Sequence, residues 1–534
     1  RARTPNNDYL RTEGPMPGLD PKTKDRYEDR SRQGFRFRPG DIKPWQNLGD
    51  VNVFVYHSWT TSLHWIDSID EKNSVIRFTN KSGWPFSFFE DKQRYFIENC
   101  REALDAPGEW YLDRWAATLT YKPLDGQDVP KTEFIAPVLH QLVIFDGDRV
   151  NGDYVHHVAL RGLSFRHADW LVSREGWADG QGASVLSAAI SADGTQHVDL
   201  IDCEVAQVGE YAIHFNRGCS SNRIVNCHIH DLGAGGVRIG ATTRVLPPHD
   251  VSENNTVDNC LIHDGGHVFR AGIGVLVGKA SHTTVSHNDI FDLDYTGVSV
   301  GWYWGIEQVP SAHHNIIEFN HIYNIGRGQL SDMGGIYTLG NSPGTVLRNN
   351  LIHDVLANQN GGNGMYNDSR CAHVLMENNI VYRCNDSAYH LNHGTDNLLR
   401  NNILAFGGIA EVTSSNRDDP PPTVTLERNI VYTRLPRMHA YEILWKQMNF
   451  AMDHNLYYRA GGESFDWPGD RTFQQWQEWT GQDRHSIIAD PLFVDPENGD
   501  FRLKPGSPAE KIGFKPIDMT KVGRRRAQAS RTGP

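Results

Sequence analysis

From about residue 195 the apolar positions recur in a fixed phrase: two β-type residues, a pair of polar or small residues, then aliphatic residues. The phrase reads Ile224-Val225-Asn226-Cys227-His228-Ile229 and Val257-Asp258-Asn259-Cys260-Leu261-Ile262. It returns as Ile317-Glu318-Phe319-Asn320-His321-Ile322 and Leu347-Arg348-Asn349-Asn350-Leu351-Ile352. One aligned position is occupied in turn by Cys203, Cys227, Cys260, Asn288, Asn320, Asn350, Asn379, Asn402 and Asn429, at intervals of 23 to 33 residues. A constant register with variable spacing means strands of fixed length joined by loops of unequal length. The pattern therefore predicts an all-β, right-handed parallel β-helix, in which each coil stacks on the last. Asn suits the aligned position because it can adopt the left-handed conformation of a tight turn, and its amide can bond along a stack. The three Cys of the same column read as small buried space-fillers.

A second phrase precedes the next coil's Asn phrase: Gly236-Val237-Arg238-Ile239, Gly297-Val298-Ser299-Val300, Gly335-Ile336-Tyr337-Thr338 and Gly364-Met365-Tyr366-Asn367. Period-2 alternation turns the residue after each Gly inward and the next outward. The outward column is then Arg238, Leu276, Ser299, Tyr337, Tyr366 and His390. These residues are unusual for a solvated sheet and mark the best candidate for a ligand groove.

Outside the repeat the chain changes character. Residues 1–50, rich in Pro, Arg, Asp and Gly, read as an irregular segment, and 51–140 as an inserted or flanking loop-rich β subdomain. The β-helix is assigned to 141–490. Residues 491–534 are expected to cover its open end, where strand edges would otherwise be exposed. No window approaches 18 consecutive apolar residues, so no membrane span is expected. The chain opens Arg1-Ala2-Arg3 rather than at Met, which suggests that a preceding segment is missing; a secreted or periplasmic protein is expected.

Composition narrows the partners. A net charge of -13 argues against nucleic acid, which needs concentrated Lys and Arg. Seven Cys without a C-x-x-C pair indicate neither a disulfide framework nor a zinc site, and nothing calls for a cofactor.

Several phrases resemble a known family. They are Glu109-Trp110-Tyr111-Leu112-Asp113-Arg114, Gly301-Trp302-Tyr303-Trp304-Gly305, Leu330-Ser331-Asp332-Met333-Gly334-Gly335, and the closing Asp490-Pro491-Leu492-Phe493. Together they resemble bacterial β-helix glycosidase-like proteins, nearest to glycoside hydrolase family 141. The resemblance spans about residues 50 to 522 and implies fucosidase- or xylanase-like action on a plant or algal glycan.

Most glycoside hydrolysis needs two carboxyl groups flanking the scissile bond, one of them protonated. Asp332 and Asp368 match acidic positions of the resembling family, although Ser369 stands where a second acid often follows. On a straight strand the two would lie about 23 Å apart, so Gly334-Gly335 must bend the chain to bring them together. Asp294, three residues before Gly297, should stack on Asp332 at about 5 Å and is a competitor. Trp302, Trp304, Tyr337 and Tyr366 offer flat faces for sugar rings, and His390 and His393 offer bonds to hydroxyls. No metal site is expected: His390 and His393 alone do not present metal-binding geometry.

Two other functions fit a β-helix. A polysaccharide lyase or uronate epimerase would need a Lys, Arg, His or Tyr base against an acidic sugar, often with Ca²⁺ held by clustered carboxylates; Arg238 and Arg370 are available, but the outward column is not basic. A non-catalytic carbohydrate-binding protein would need no paired acids. The oligomeric state is not specified by the sequence.

Overall fold

The computed structural model describes residues 1–525 except Arg174, Arg244, Ile306, Gln308, 416–422 and 438–448. The chain forms two compact units, Arg1–Val138 with Trp170–Ser184, and Leu139–Asp169 with Val185–Pro534.

In the first unit six antiparallel strands close into a ring. Asn52–Tyr56 pairs with Thr61–Asp70 and Arg94–Glu98. Leu10–Pro15 pairs with Arg94–Glu98 and Gly34–Phe37. Val75–Phe78 joins Gly34–Phe37 to Thr61–Asp70. Closure removes the sheet's edges, and Phe35, Val53, Val55, Ile76, Tyr95 and Ile97 fill the interior. The first fifty residues are thus not irregular throughout, since two ring strands come from them. Strands of four to six residues between Pro- and Gly-rich turns carry too few alternating positions to be recognised in sequence. Inside the unit a hydrogen-bonded chain runs Gln93, His57, Ser62, His64, Asn80, with links of 2.7–2.9 Å. Burial pushes His57 down to about 3 and His64 to about 4, so both imidazoles are neutral.

The second unit is the parallel β-helix. Each coil contributes to three parallel sheets of ten, eleven and twelve strands. Register is constant: Ile224, Val257, Val285, Ile317, Leu347, Met376 and Leu399 lie on successive rungs. The Asn column forms a continuous ladder. Each side chain from Asn288 to Asn429 accepts from the rung below and donates amide hydrogens to the next side chain and to a backbone carbonyl, for example Asn350 to Ile317 at 2.9 Å. The left-handed conformation falls one residue earlier, at Asn226, Asn259, His287, Phe319, Asn349, Asn378 and Asn401. The ladder Asn is therefore selected for its buried amide, and the turn's backbone strain rests on its more exposed neighbour.

On the outer face of the twelve-stranded sheet, the rings of His230, His263, Phe291, Tyr323, His353 and Tyr382 stack at 4.7–5.4 Å. His230, His263 and His353, which recur in the sequence, are members of this structural stack.

Residues 491–525 do not cover the open end. Phe493, Phe501, Ile512 and Phe514 pack beside Tyr382, Phe406 and Tyr432 on the flank of the helix. The chain then runs back along the left-handed turns: Lys515 bonds Asn401, Gly523 bonds Phe319, and Arg525 bonds Asn259. In each of these bonds a backbone amide of the tail donates to an oxygen of the turn residue, a side-chain oxygen of Asn401 and Asn259 and the carbonyl of Phe319. The end of the helix is met instead by the segment around helix Phe473–Thr480, whose Trp476 donates to Asp483, which also accepts from Tyr457 of the final coils. Residues 526–534 lie outside the described residues. No helix among the described residues is long and apolar enough to cross a membrane.

Candidate active site

The ten-stranded sheet carries the outward column, and its register places Arg238, Leu276, Ser299, Tyr337, Tyr366, His390 and Thr413 on successive rungs. The lower members are covered: Arg238, Leu276 and Ser299 are buried, and the Arg238 guanidinium donates to the Leu186 carbonyl. Over the upper rungs opens a cavity of about 420 Å³, walled by Asp332, Tyr366, Asp386, His390, Asn392 and the Thr413–Ser415 stretch, with Asn360, Gly361 and Asn363 at its side.

Asp332 is the residue before strand Met333–Thr338 and sits in a left-handed conformation, φ 55, which Asp tolerates better than most side chains. Asp368 follows the next strand, Gly362–Asn367. Two tyrosines link them crosswise. Tyr366 donates its hydroxyl to Asp332 Oδ1 at 2.8 Å, and Tyr337 donates to Asp368 Oδ2. Their rings meet edge to face at 5.1 Å. Each tyrosine thus bonds the acid borne by the other's rung, so the tyrosine pair spans the separation that straight strands would leave.

Electrostatics distinguish the two acids. Burial, and next the charge of Asp368, raise Asp332 to about 7, against the opposing pull of the Tyr366 hydroxyl. A carboxyl so placed is largely protonated in mildly acidic solution, when an ordinary aspartate has lost its proton. Asp368 has both oxygens engaged, since Asn392 Nδ2 donates to Oδ1 at 2.6 Å. His390 lies between Thr413 Oγ1 at 2.7 Å and Ser415 Oγ at 3.1 Å. Burial and neighbouring His393 push it down to about 4, making it a neutral hydrogen-bonding group.

Other expected site residues lie elsewhere. Asp294 is not paired with Asp332: Arg270 holds it at 2.5 Å, Arg327 lies 3.8 Å away, and it is 1% exposed. The two guanidiniums neutralise the carboxylate that stacking alone would have left facing Asp332. Trp302 and Trp304 pack edge to face at 5.3 Å, Trp302 buried and Trp304 half-exposed, and neither lines the cavity. They follow strand Val298–Val300, whereas Asp332 precedes the neighbouring strand, so they leave from the other end of the sheet. Tyr337 is buried behind the wall, and His393, on the turn after Tyr389–Leu391, is not among the lining residues.

The cavity also contains an acid that sequence reasoning missed. Asp386 stands two residues before Ala388, which replaces the phrase's glycine. Asp332 and Asp294 stand three residues ahead of their phrases and Asp386 only two ahead of its own, so the offset that marks the other acids passes over it. Gly361 donates its backbone amide to Asp386 Oδ2 at 2.8 Å, and burial raises the carboxyl. Among the described residues, four groups bring three metal-ligating atoms within 4.8 Å of one another, such as His282, His313 and His314. None of the four includes a residue lining the cavity beside Asp332.

These features define a parallel β-helix with a polar, carboxyl-bearing cavity on one sheet. Residues 188–354 match the family model described as a right-handed β-helix region. The uncharacterized protein YwoF of Bacillus subtilis (strain 168) is 28% identical over 92 residues, 16% of this chain and 20% of that one; the match thus spans about a fifth of the curated relative. A solved glycoside hydrolase superposes with a TM-score of 0.62 over 77% of this chain and 76% of its own, at 18% identity, which is a likeness of fold. The GH136 lacto-N-biosidase from Eubacterium ramulus superposes with a TM-score of only 0.36, at 12% identity, over 65% of this chain and 61% of its own.

Proposed function

We propose that this protein is a glycoside hydrolase acting on a poly- or oligosaccharide of plant or algal origin, outside the cytoplasm. The carrying observation is Asp332: a carboxyl raised to about 7 by burial and the charge of Asp368, at the wall of a cavity rich in hydrogen-bonding groups. A general acid needs a group that stays protonated until the leaving oxygen arrives. In this reading Asp332 gives its proton to the glycosidic oxygen as the C–O bond breaks. Asp368, bonded by Tyr337 and Asn392, is the anionic partner that keeps Asp332 protonated. Tyr366 orients Asp332, while neutral His390, Asn392 and Asn363 bond sugar hydroxyls. The sequence phrases resembling glycoside hydrolase family 141 fit the same chemistry.

A lyase or epimerase acting on a uronate is less well supported, because among the described residues the cavity lining includes no Lys or Arg to neutralise the sugar carboxylate. The test is a screen against plant and algal glycans, read as new reducing ends and as absorbance of unsaturated uronates. Hydrolysis without that absorbance is expected, and Asp332→Asn should lower kcat on unactivated substrates by about 100- to 10,000-fold. An unsaturated product, or full activity in Asp332→Asn, would sink the reading.

A further inference from the structure

The cavity holds Asp332, Gly361 and Asp386 on three consecutive coils. A Cβ on Gly361 would lie 2.8 Å from the Asp332 Cα, and the Gly361 amide points at Asp386 Oδ2. The register of the sheet agrees: Met333 pairs with Gly362, and two strands later Tyr389 pairs with Met365, which sets Asp386 two rungs from the start of Asp332's strand. Between the two acids stands a residue with no side chain, at φ +74, a conformation that strains any other residue. The missing side chain lets the two coils approach closely there, and the cavity that both acids line is the space open to a ligand. Two rung spacings amount to about 9–10 Å.

The three acids are engaged differently. Both oxygens of Asp368 accept side-chain donors, from Tyr337 and Asn392, and Asp368 is not part of the cavity lining. Asp386 lines the cavity and is held by a backbone amide through Oδ2. Asp368 can thus tune Asp332, whereas Asp386 can meet a substrate or a water.

We propose that Asp386 is the general base of this site, acting across the cavity from Asp332 in an inverting hydrolysis; this rests on the hydrolase reading above. Asp332 protonates the departing glycosidic oxygen. A water held by Asp386 attacks the anomeric carbon from the opposite face and passes a proton to Asp386. One C–O bond forms and one breaks, and solvent returns the acids to their starting states. Inverting enzymes keep their carboxyls about 6.5–9.5 Å apart to admit that water, and retaining ones about 5–5.5 Å.

The experiment compares wild type, Asp332→Asn, Asp368→Asn and Asp386→Asn on p-nitrophenyl glycosides and on plant and algal oligosaccharides. The first-formed anomer is read by proton NMR, and circular dichroism checks the fold. Asp386→Asn keeps an oxygen for the Gly361 amide, so the fold should survive. Its kcat should fall about 100- to 10,000-fold on every substrate, and azide should restore turnover as a glycosyl azide. Asp332→Asn should retain more activity on p-nitrophenyl glycosides, whose leaving group needs little protonation. The wild-type product should be the inverted anomer. A retained anomer, or Asp386→Asn within about twofold of wild type, overturns the role of Asp386 and leaves the hydrolase reading intact. A wild type inert toward all the glycans removes both.

Discussion

At the scale of single residues, function rests on which form of each carboxyl the surroundings favour. Tyr366 donates to Asp332 and so favours its charged form; Asp368 lies near and disfavours it. The two substitutions should therefore act in opposite directions. Tyr366→Phe removes a stabiliser of the carboxylate, so Asp332 keeps its proton to higher pH and the alkaline limb of the pH–rate profile moves up. Asp368→Asn removes a repelling charge, and the same limb moves down. Profiles of kcat/KM from pH 4 to 9 check this, and limbs that coincide with wild type would mean that Asp332 is not the acid. Asp332, Asp368, Tyr366 and His390 were legible in the sequence because each occupies a register position that the repeat counts out. Asp386 was not, because it stands two residues ahead of its coil's phrase where Asp332 and Asp294 stand three ahead of theirs. Asp294 showed the converse: it has the right offset, and only the packing of Arg270 and Arg327 around it removes it from the site.

Among the elements, the Asn ladder joins the coils. Asn350 accepts from Asn320 and donates to Ile317 and Asn379, all within 3.1 Å and all buried. Asn350→Ala would strand several of these groups at once, at about 1–3 kcal/mol for each one left unsatisfied. A clear fall in thermal midpoint is expected, with Asn349→Ala, in the more exposed turn, as the milder comparison. Equal losses in the two variants would contradict the division between ladder amide and left-handed neighbour. A second buried set, Asn222 with Asn255 and Thr283 with Asn315, performs the same task at another corner. It escaped the sequence reading because Thr and Asn alternate there and no single residue type marks the column.

For the molecule as a whole, buried ionisable groups set how stability follows pH. In the β-helix, Glu411 is fully buried and accepts from the Gly407 amide; burial raises it to about 7, as it helps to do for Asp332. A carboxyl raised in the fold binds its proton more tightly there than in the unfolded chain. Its contribution is full below the ordinary carboxyl range and is lost as pH rises through about 7. Glu411→Gln should therefore raise the thermal midpoint at pH 8 and change it little at pH 4.5. A gain of equal size at both values would show that ionisation is not the cause. His57 and His64 of the first unit act at the other extreme. Their folded values lie below the unfolded one, so their contribution is present above about 6.5 and lost as pH falls toward 4.

By itself the sequence determined the β-helix, its register and the column that carries the site. A repeat exists because each coil must bury the same inward positions and pair with the coil before it, and that constraint is written residue by residue. Tertiary structure alone decided which acids meet. Whether a carboxyl faces a cavity, a tyrosine or an arginine depends on loops of unequal length, and these obey no period. The same holds for the ring of strands at the start of the chain and for the tail along the flank. Their partners are remote in sequence, and burial against those partners, not any local pattern, holds them in place.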